Sequence, residues 1–138
     1  MTSTTVSVPV SRPTSTRALW VRGAVVGVLA SAATVAVAGL AHAAGVSLAV
    51  GGSAIPLAGF AQVTFVCTMI GTAIAVALRT RARRPRATFV KTTVALTALS
   101  LLPDAFADAH TSTRFVLALS HVVAAAIVIP ALAVRLQK

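Results

Sequence analysis

RTRARRPRATFVK, residues 79–91, is the stretch whose reading decides the fold. It carries Arg79, Arg81, Arg83, Arg84, Arg86 and Lys91, half of the twelve basic residues in the protein. The sequence on either side is long, apolar and almost free of charge. Lys and Arg collected in one short loop between apolar segments follow the positive-inside rule of membrane proteins. The expected architecture is an all-α, integral membrane four-helix bundle of two transmembrane hairpins, with these six residues setting its orientation.

Composition points the same way. Only 10% of the 138 residues are charged and 57% are hydrophobic, against about a quarter charged in an ordinary soluble domain. A soluble fold of this size would lack the polar surface to cover itself, whereas lipid solvates apolar faces. The net charge of +10 does not imply nucleic acid. A nucleic-acid module spreads its basic residues over a folded face, often among stacking aromatics. Here they cluster beside apolar runs, Tyr is absent and Trp20 is the single Trp. The partner this charge fits is a bilayer with anionic headgroups at its cytoplasmic face, at about 1 kcal/mol per basic residue.

Residues 1–17 show no apolar period and read as a disordered cytoplasmic tail, leaving one transmembrane domain over residues 18–138. About 20 apolar residues cross a membrane, and four candidates stand at about residues 21–44, 57–78, 87–102 and 113–134. The first has Trp20 as an interfacial anchor. Gly23, Gly27, Ala30, Thr34, Ala38 and Ala41 make a small-residue face on it that suits close helix packing. Ala41-His42-Ala43 after a basic, apolar stretch also resembles a signal-peptide cleavage site. The apolar run exceeds the usual length of about 7–15 residues, which favours a retained helix. Gly51-Gly52 and Pro56 mark a turn. In the second span Thr64, Thr68 and Thr72 recur every four residues beside Gly71, spaced to bond back to their own helix or to a neighbour. Cys67, the lone cysteine, reads as a packing residue.

The third span has only twelve uncharged residues between Lys91 and Asp104, roughly 18 Å of helix. Lys91 can snorkel and lengthen it, although Pro103 is expected to kink or break it. Pro130 is expected to bend the fourth span in the same way. Four crossings leave eleven basic residues on one side and Arg114 on the other. The expected topology is multi-pass in the plasma membrane with both termini cytoplasmic.

Chemistry, if any, belongs at the opposite, outer end. Asp104, Asp108, His110 and His121 all fall there, and intramembrane ionisable groups are functional candidates by default. Thr97 and Ser100 lead toward the two aspartates at helical steps and complete a candidate polar or proton site. Arg114 could pair with Asp104 or Asp108. The bland alternatives are a hydrated loop for the aspartates and, for His121, a register-fixing bond to Ser100, Thr97 or a carbonyl. A metal set of Asp104, Asp108, His110 and His121 matches no specific ligand spacing. A bis-histidine haem site from His42 and His121 has only residue type in its favour. No cofactor or metal is expected. With no phosphate loop, nucleophile elbow or HExxH, neither is an enzyme.

The run from RTRARRPR through LLPDAFADAHTSTR to LALSHVVAAAIVIPALAVRL resembles a family of small four-span proteins of high-GC Gram-positive bacteria, catalogued as a domain of unknown function. Its most specific element is His121 nine residues before Pro130, with Arg135-Leu136 closing the helix. The similarity covers about residues 18–136, with Ser120 where the family commonly has Met. It implies four helices and no catalytic residues. Two classes of function follow: an accessory or scaffolding protein packing against other membrane proteins or its own copies, or a small oligomeric transporter or proton pathway using His121 and the outer aspartates.

Overall fold

Ser15 begins the first helix, its side-chain oxygen accepting a hydrogen bond from the Ala18 N–H at 3.1 Å. Such a cap satisfies a donor that has no partner inside the helix. In the computed structural model, which describes residues 15–136, helix α1 spans Thr16–Ala43. A small hairpin of β1 (Ala49–Val50) and β2 (Ser53–Ala54) follows. Then come α2 (Leu57–Arg81), α3 (Pro85–Phe106) and α4 (Thr111–Ala133), closed by a 3-10 turn at Val134–Leu136. The protein is an all-α four-helix bundle, and each of its four helical segments is long and apolar enough to cross a membrane. Thr16 and Arg17, expected in the tail, are the first residues of α1. The rest of the expected disordered tail, residues 1–14, lies outside the described residues.

The basic stretch is less of a loop than the charge pattern suggests. Arg79 and Arg81 belong to the last turn of α2, where cations oppose the negative end of the helix dipole. Pro85 opens α3, a position that needs no N–H and suits a fixed φ. Only residues 82–84 connect the two helices. The third span is also longer than the expected 87–102. It runs 22 residues, about 33 Å, and continues through Pro103 to Phe106. Of the kink or break expected there, the break does not occur. Pro103 withholds one backbone donor, which leaves the Leu99 carbonyl short of a partner without ending the helix. α4 likewise continues past Pro130.

α1 lies between α2 and α4, and α3 packs mainly on α4 with a looser approach to α2. Gly23, Gly27, Ala30, Thr34 and Ala38 are all buried, and α2 is what covers the glycines. A Cβ added at Gly23 would lie 2.7 Å from Thr72 Cγ2, and one at Gly27 3.0 Å from Phe65 Cδ2. Ser31 donates to the Ala61 carbonyl at 2.9 Å, and the hydroxyls of Thr34 and Thr64 meet at 3.1 Å. The small-residue face is therefore occupied by the protein's own second helix. In lipid such contacts rest on close packing and short polar bonds, since no hydrophobic drive separates helix from solvent.

One end of the bundle is sealed by apolar side chains. Val26, Ala30, Ala75, Phe89, Val128, Leu132 and Leu136 form a buried cluster, with Phe89 fully inaccessible. Beside it the Arg22 Nε–H donates to the Ala131 carbonyl at 2.8 Å, so a cation on α1 caps the C-terminal turn of α4. A charge at that position typically contributes about 0.3–1 kcal/mol, and about 2 kcal/mol when part-buried. Arg22→Ala is expected to lower stability by about 1–2 kcal/mol, read as a downward shift of the unfolding midpoint in mild detergent. An unchanged midpoint would show that the bond contributes nothing net.

At the other end Gly51 and Gly52 take φ of +56° and +77°. Positive φ at both central residues defines the tight hairpin turn that matches strand twist. The expected turn is thus a hairpin, with Leu48 buried beneath it against Ala38, Phe60 and Val116. The Gly51 N–H donates to the Asp108 carbonyl at 2.8 Å, which ties the α1–α2 connection to the α3–α4 loop.

Candidate functional site

α2 and α3 approach each other only loosely, and a groove of about 430 Å³ runs between them. α2 contributes Gly59 to Ile74 on one wall and α3 contributes Thr93 to Ser100 on the other. α4, from Leu117 to Ile129, forms the floor. At 1.5 Å per residue the α2 wall is about 20 Å long. The lining is mostly apolar. Five of its six hydroxyls are turned inward to their own helices, while Thr64 meets Thr34 of α1: Thr68 donates to Thr64 O, Thr93 to Phe89 O, Thr97 to Thr93 O, Ser100 to Thr97 O and Ser120 to Val116 O, all within 2.7–2.9 Å. This is the back-bonding open to Ser and Thr in helices. It leaves these groups with acceptor lone pairs only.

His121 is the exception among the lining residues. Its Nδ1 lies 3.0 Å from the Leu117 carbonyl and 3.0 Å from Asp104 Oδ2. One Nδ1–H stands between two acceptors. The carbonyl has the hydrogen-bonding geometry, and Asp104 Oδ2 is buried with no hydrogen bond of its own. A carboxylate held at this distance favours a proton on Nδ1 and keeps the imidazole oriented. Nε2 is then the nitrogen left for the groove, as an acceptor when the ring is neutral and a donor when it is charged. The side chain of Asp104 is 14% exposed and that of His121 37%, so the acid lies behind and the base in front.

The structure sorts the expected site residues. His121 and Asp104 touch, and Thr97 and Ser100 share the groove with His121. Asp108 and His110 do not join them. Both are exposed in the short connection to α4, because α3 ends at Phe106 before the stripe can reach Asp108. Arg114 pairs with neither aspartate. Its Nη1 donates to the Ala105 carbonyl at 3.2 Å, and Asp104 is turned toward His121. Among the described residues no group of three His, Cys, Asp or Glu side chains could hold a metal ion. The α2 wall is not apparent from the sequence. Cys67, expected to be packed, is exposed on that wall, and an added Cβ at Gly71 would meet nothing within 4 Å. The four-residue threonine spacing hints at a polar face on α2, but Thr72 is spent against α1 and only Thr64 and Thr68 reach the groove.

The chain belongs to a family of unknown function (DUF6069), which matches residues 14–138. The resemblance, expected over about residues 18–136, is borne out over all four helices. No curated protein and no solved structure matches the chain.

Proposed function

We propose that this multi-pass membrane protein is a non-enzymatic accessory component of the plasma membrane of a bacterium, which acts through its membrane-facing surface and conducts nothing across it. The apolar seal around Phe89 carries this reading. The polar groups stop at Thr93, and beyond it the groove meets Ile74, Val128 and the buried cluster. A proton or ion would have no donors or acceptors to follow there, and desolvating it in hydrocarbon is costly. The groove instead opens sideways, between α2 and α3, where in a bilayer it faces lipid or another membrane protein. Orientation rests on the charge count. Both termini and the α2–α3 connection are placed in the cytoplasm, and the arginines there lie against anionic headgroups. The partner surfaces are the outward faces of α3 and α2, open to a second copy or to other membrane proteins.

A second reading is favoured by one observation, the Asp104–His121 pair, which could load and release protons. Four helices are few for a transporter, so that reading requires an oligomer that completes the path across the Phe89 seal. Reconstitution in liposomes separates the two. With a pH gradient imposed, proton flux is expected to match protein-free vesicles, in both the native chain and His121→Ala. A flux at least several-fold above background that disappears in His121→Ala would replace the accessory reading with the pathway.

A further inference from the structure

Resting on the accessory reading, we infer that the α2–α3–α4 groove is a binding site for one hydrocarbon chain ending in a neutral hydroxyl, with the hydroxyl at His121 Nε2 and the chain lying along the groove toward Phe89. The occupant is a single-tailed or isoprenoid-type membrane alcohol.

Three features select that chemistry. The groove is about 20 Å long, more than the roughly 15 Å of one bilayer leaflet's hydrocarbon, and its volume of about 430 Å³ falls in the range of small-molecule sites, about 300–1,000 Å³. A single chain fills such a shape and a compact solute does not. Next, the polar groups are placed at one end. Deeper in the groove Thr68, Thr93 and Thr97 have their protons committed to their own helices and Thr64 meets Thr34 of α1, so an alcohol buried there would find only hydroxyl oxygens, weaker acceptors than an imidazole nitrogen. His121, near the hairpin end, offers a ring nitrogen with no hydrogen-bond partner among the described residues. Last, among the described residues no Arg or Lys lines the groove, and Asp104 stands behind the imidazole. An anionic head would meet a carboxylate with no counter-cation, and burying a net charge in apolar surroundings is costly. A hydroxyl donating to the Nε2 lone pair avoids that cost, with the Leu117 carbonyl, and the Asp104 carboxylate beside it, keeping the proton on Nδ1. Apolar lining with a few convergent polar groups is the usual makeup of a ligand site.

The full-length protein carries its own reporter and its own control. Cys67 lies on the α2 wall and is the only cysteine. Gly71 stands one turn away with open space where a Cβ would stand, so Gly71→Leu projects its side chain into the groove. In phosphatidylcholine nanodiscs, hexadecanol is expected to slow alkylation of Cys67 by a small maleimide at least fivefold, and hexadecane or palmitate to slow it less than twofold. A C16 alcohol bearing a mid-chain diazirine is expected to label α2 and α4 residues of the groove. Labelling should fall at least fivefold in Gly71→Leu and in His121→Ala, with the unfolding midpoint of Gly71→Leu unchanged. Equal protection by hexadecane would overturn the proposal and show annular lipid only, and stronger protection by palmitate would overturn it in favour of an anionic ligand. Labelling that survives both substitutions would place the alcohol elsewhere. These readouts need no flux, so the accessory reading can fail in liposomes while the site stands, and the reverse.

Discussion

Gly23→Leu is expected to leave little or no folded, monodisperse protein in detergent, while Gly39→Leu has almost no effect. Both glycines lie on α1, sixteen residues apart, so helix propensity changes equally and only the surroundings differ. At Gly23 the first added carbon already meets Thr72, at 2.7 Å from Cγ2 and 2.9 Å from Cβ. Thr72 cannot retreat, because it is fully buried and its hydroxyl is bonded to the Thr68 carbonyl at 2.9 Å. Gly39 has nothing within 4 Å. Overpacking commonly costs about 1–3 kcal/mol and more where the backbone must move, which is a large part of a membrane bundle's margin. Size-exclusion profiles and thermal unfolding midpoints of the two variants are the measurement. The cause can be isolated with a double-mutant cycle. Gly23→Ala combined with Thr72→Gly should recover at least about 1 kcal/mol relative to the sum of the single changes, the size of coupling seen between touching residues. Additive effects would mean that α1 and α2 do not meet through this pair.

Changing Arg79, Arg81, Arg83, Arg84, Arg86 and Lys91 to Gln, together with Ser47→Lys, Ser53→Lys and Ala54→Lys, is expected to convert a single membrane orientation into a mixed one. The six basic side chains make no hydrogen bond or ion pair among the described residues, and the three added lysines replace exposed residues. The bundle should therefore fold as before. What changes is the count: five basic residues remain in the terminal segments, and Arg114 with the new lysines makes four at the opposite end. Orientation follows this difference rather than any contact. C-terminal fusions to a reporter active only in the cytoplasm and to one active only outside should report one location for the native chain. Comparable signals from both are expected for the nine-fold variant. A native chain that reports an external C-terminus would overturn the orientation proposed here.

Helix number, approximate ends and the concentration of charge at one end were legible in the sequence because each depends on a local run of residues. Twenty apolar positions make a span wherever they stand, and a proline at the first turn or a serine before it acts within four residues. The ends that were misjudged follow from the same locality. Thr16 and Arg17 carry no apolar period, so only the Ser15 cap shows that they are helical, and Pro103 reads as a kink or a break although its helix continues to Phe106. Pairing was not legible. The small-residue face of α1 could serve any helix, and the fold assigns it to α2. Asp104 had Arg114 as the nearer opposite charge in sequence, yet it meets His121, which lies on the next helix at the same depth. The groove depends on α3 packing more closely on α4 than on α2, with Phe89 and Leu136 buried together at the far end of the bundle. In a membrane every outward face is equally apolar, so hydropathy cannot say which faces meet. Shape and a few polar bonds decide that, and they exist only once the four helices are together.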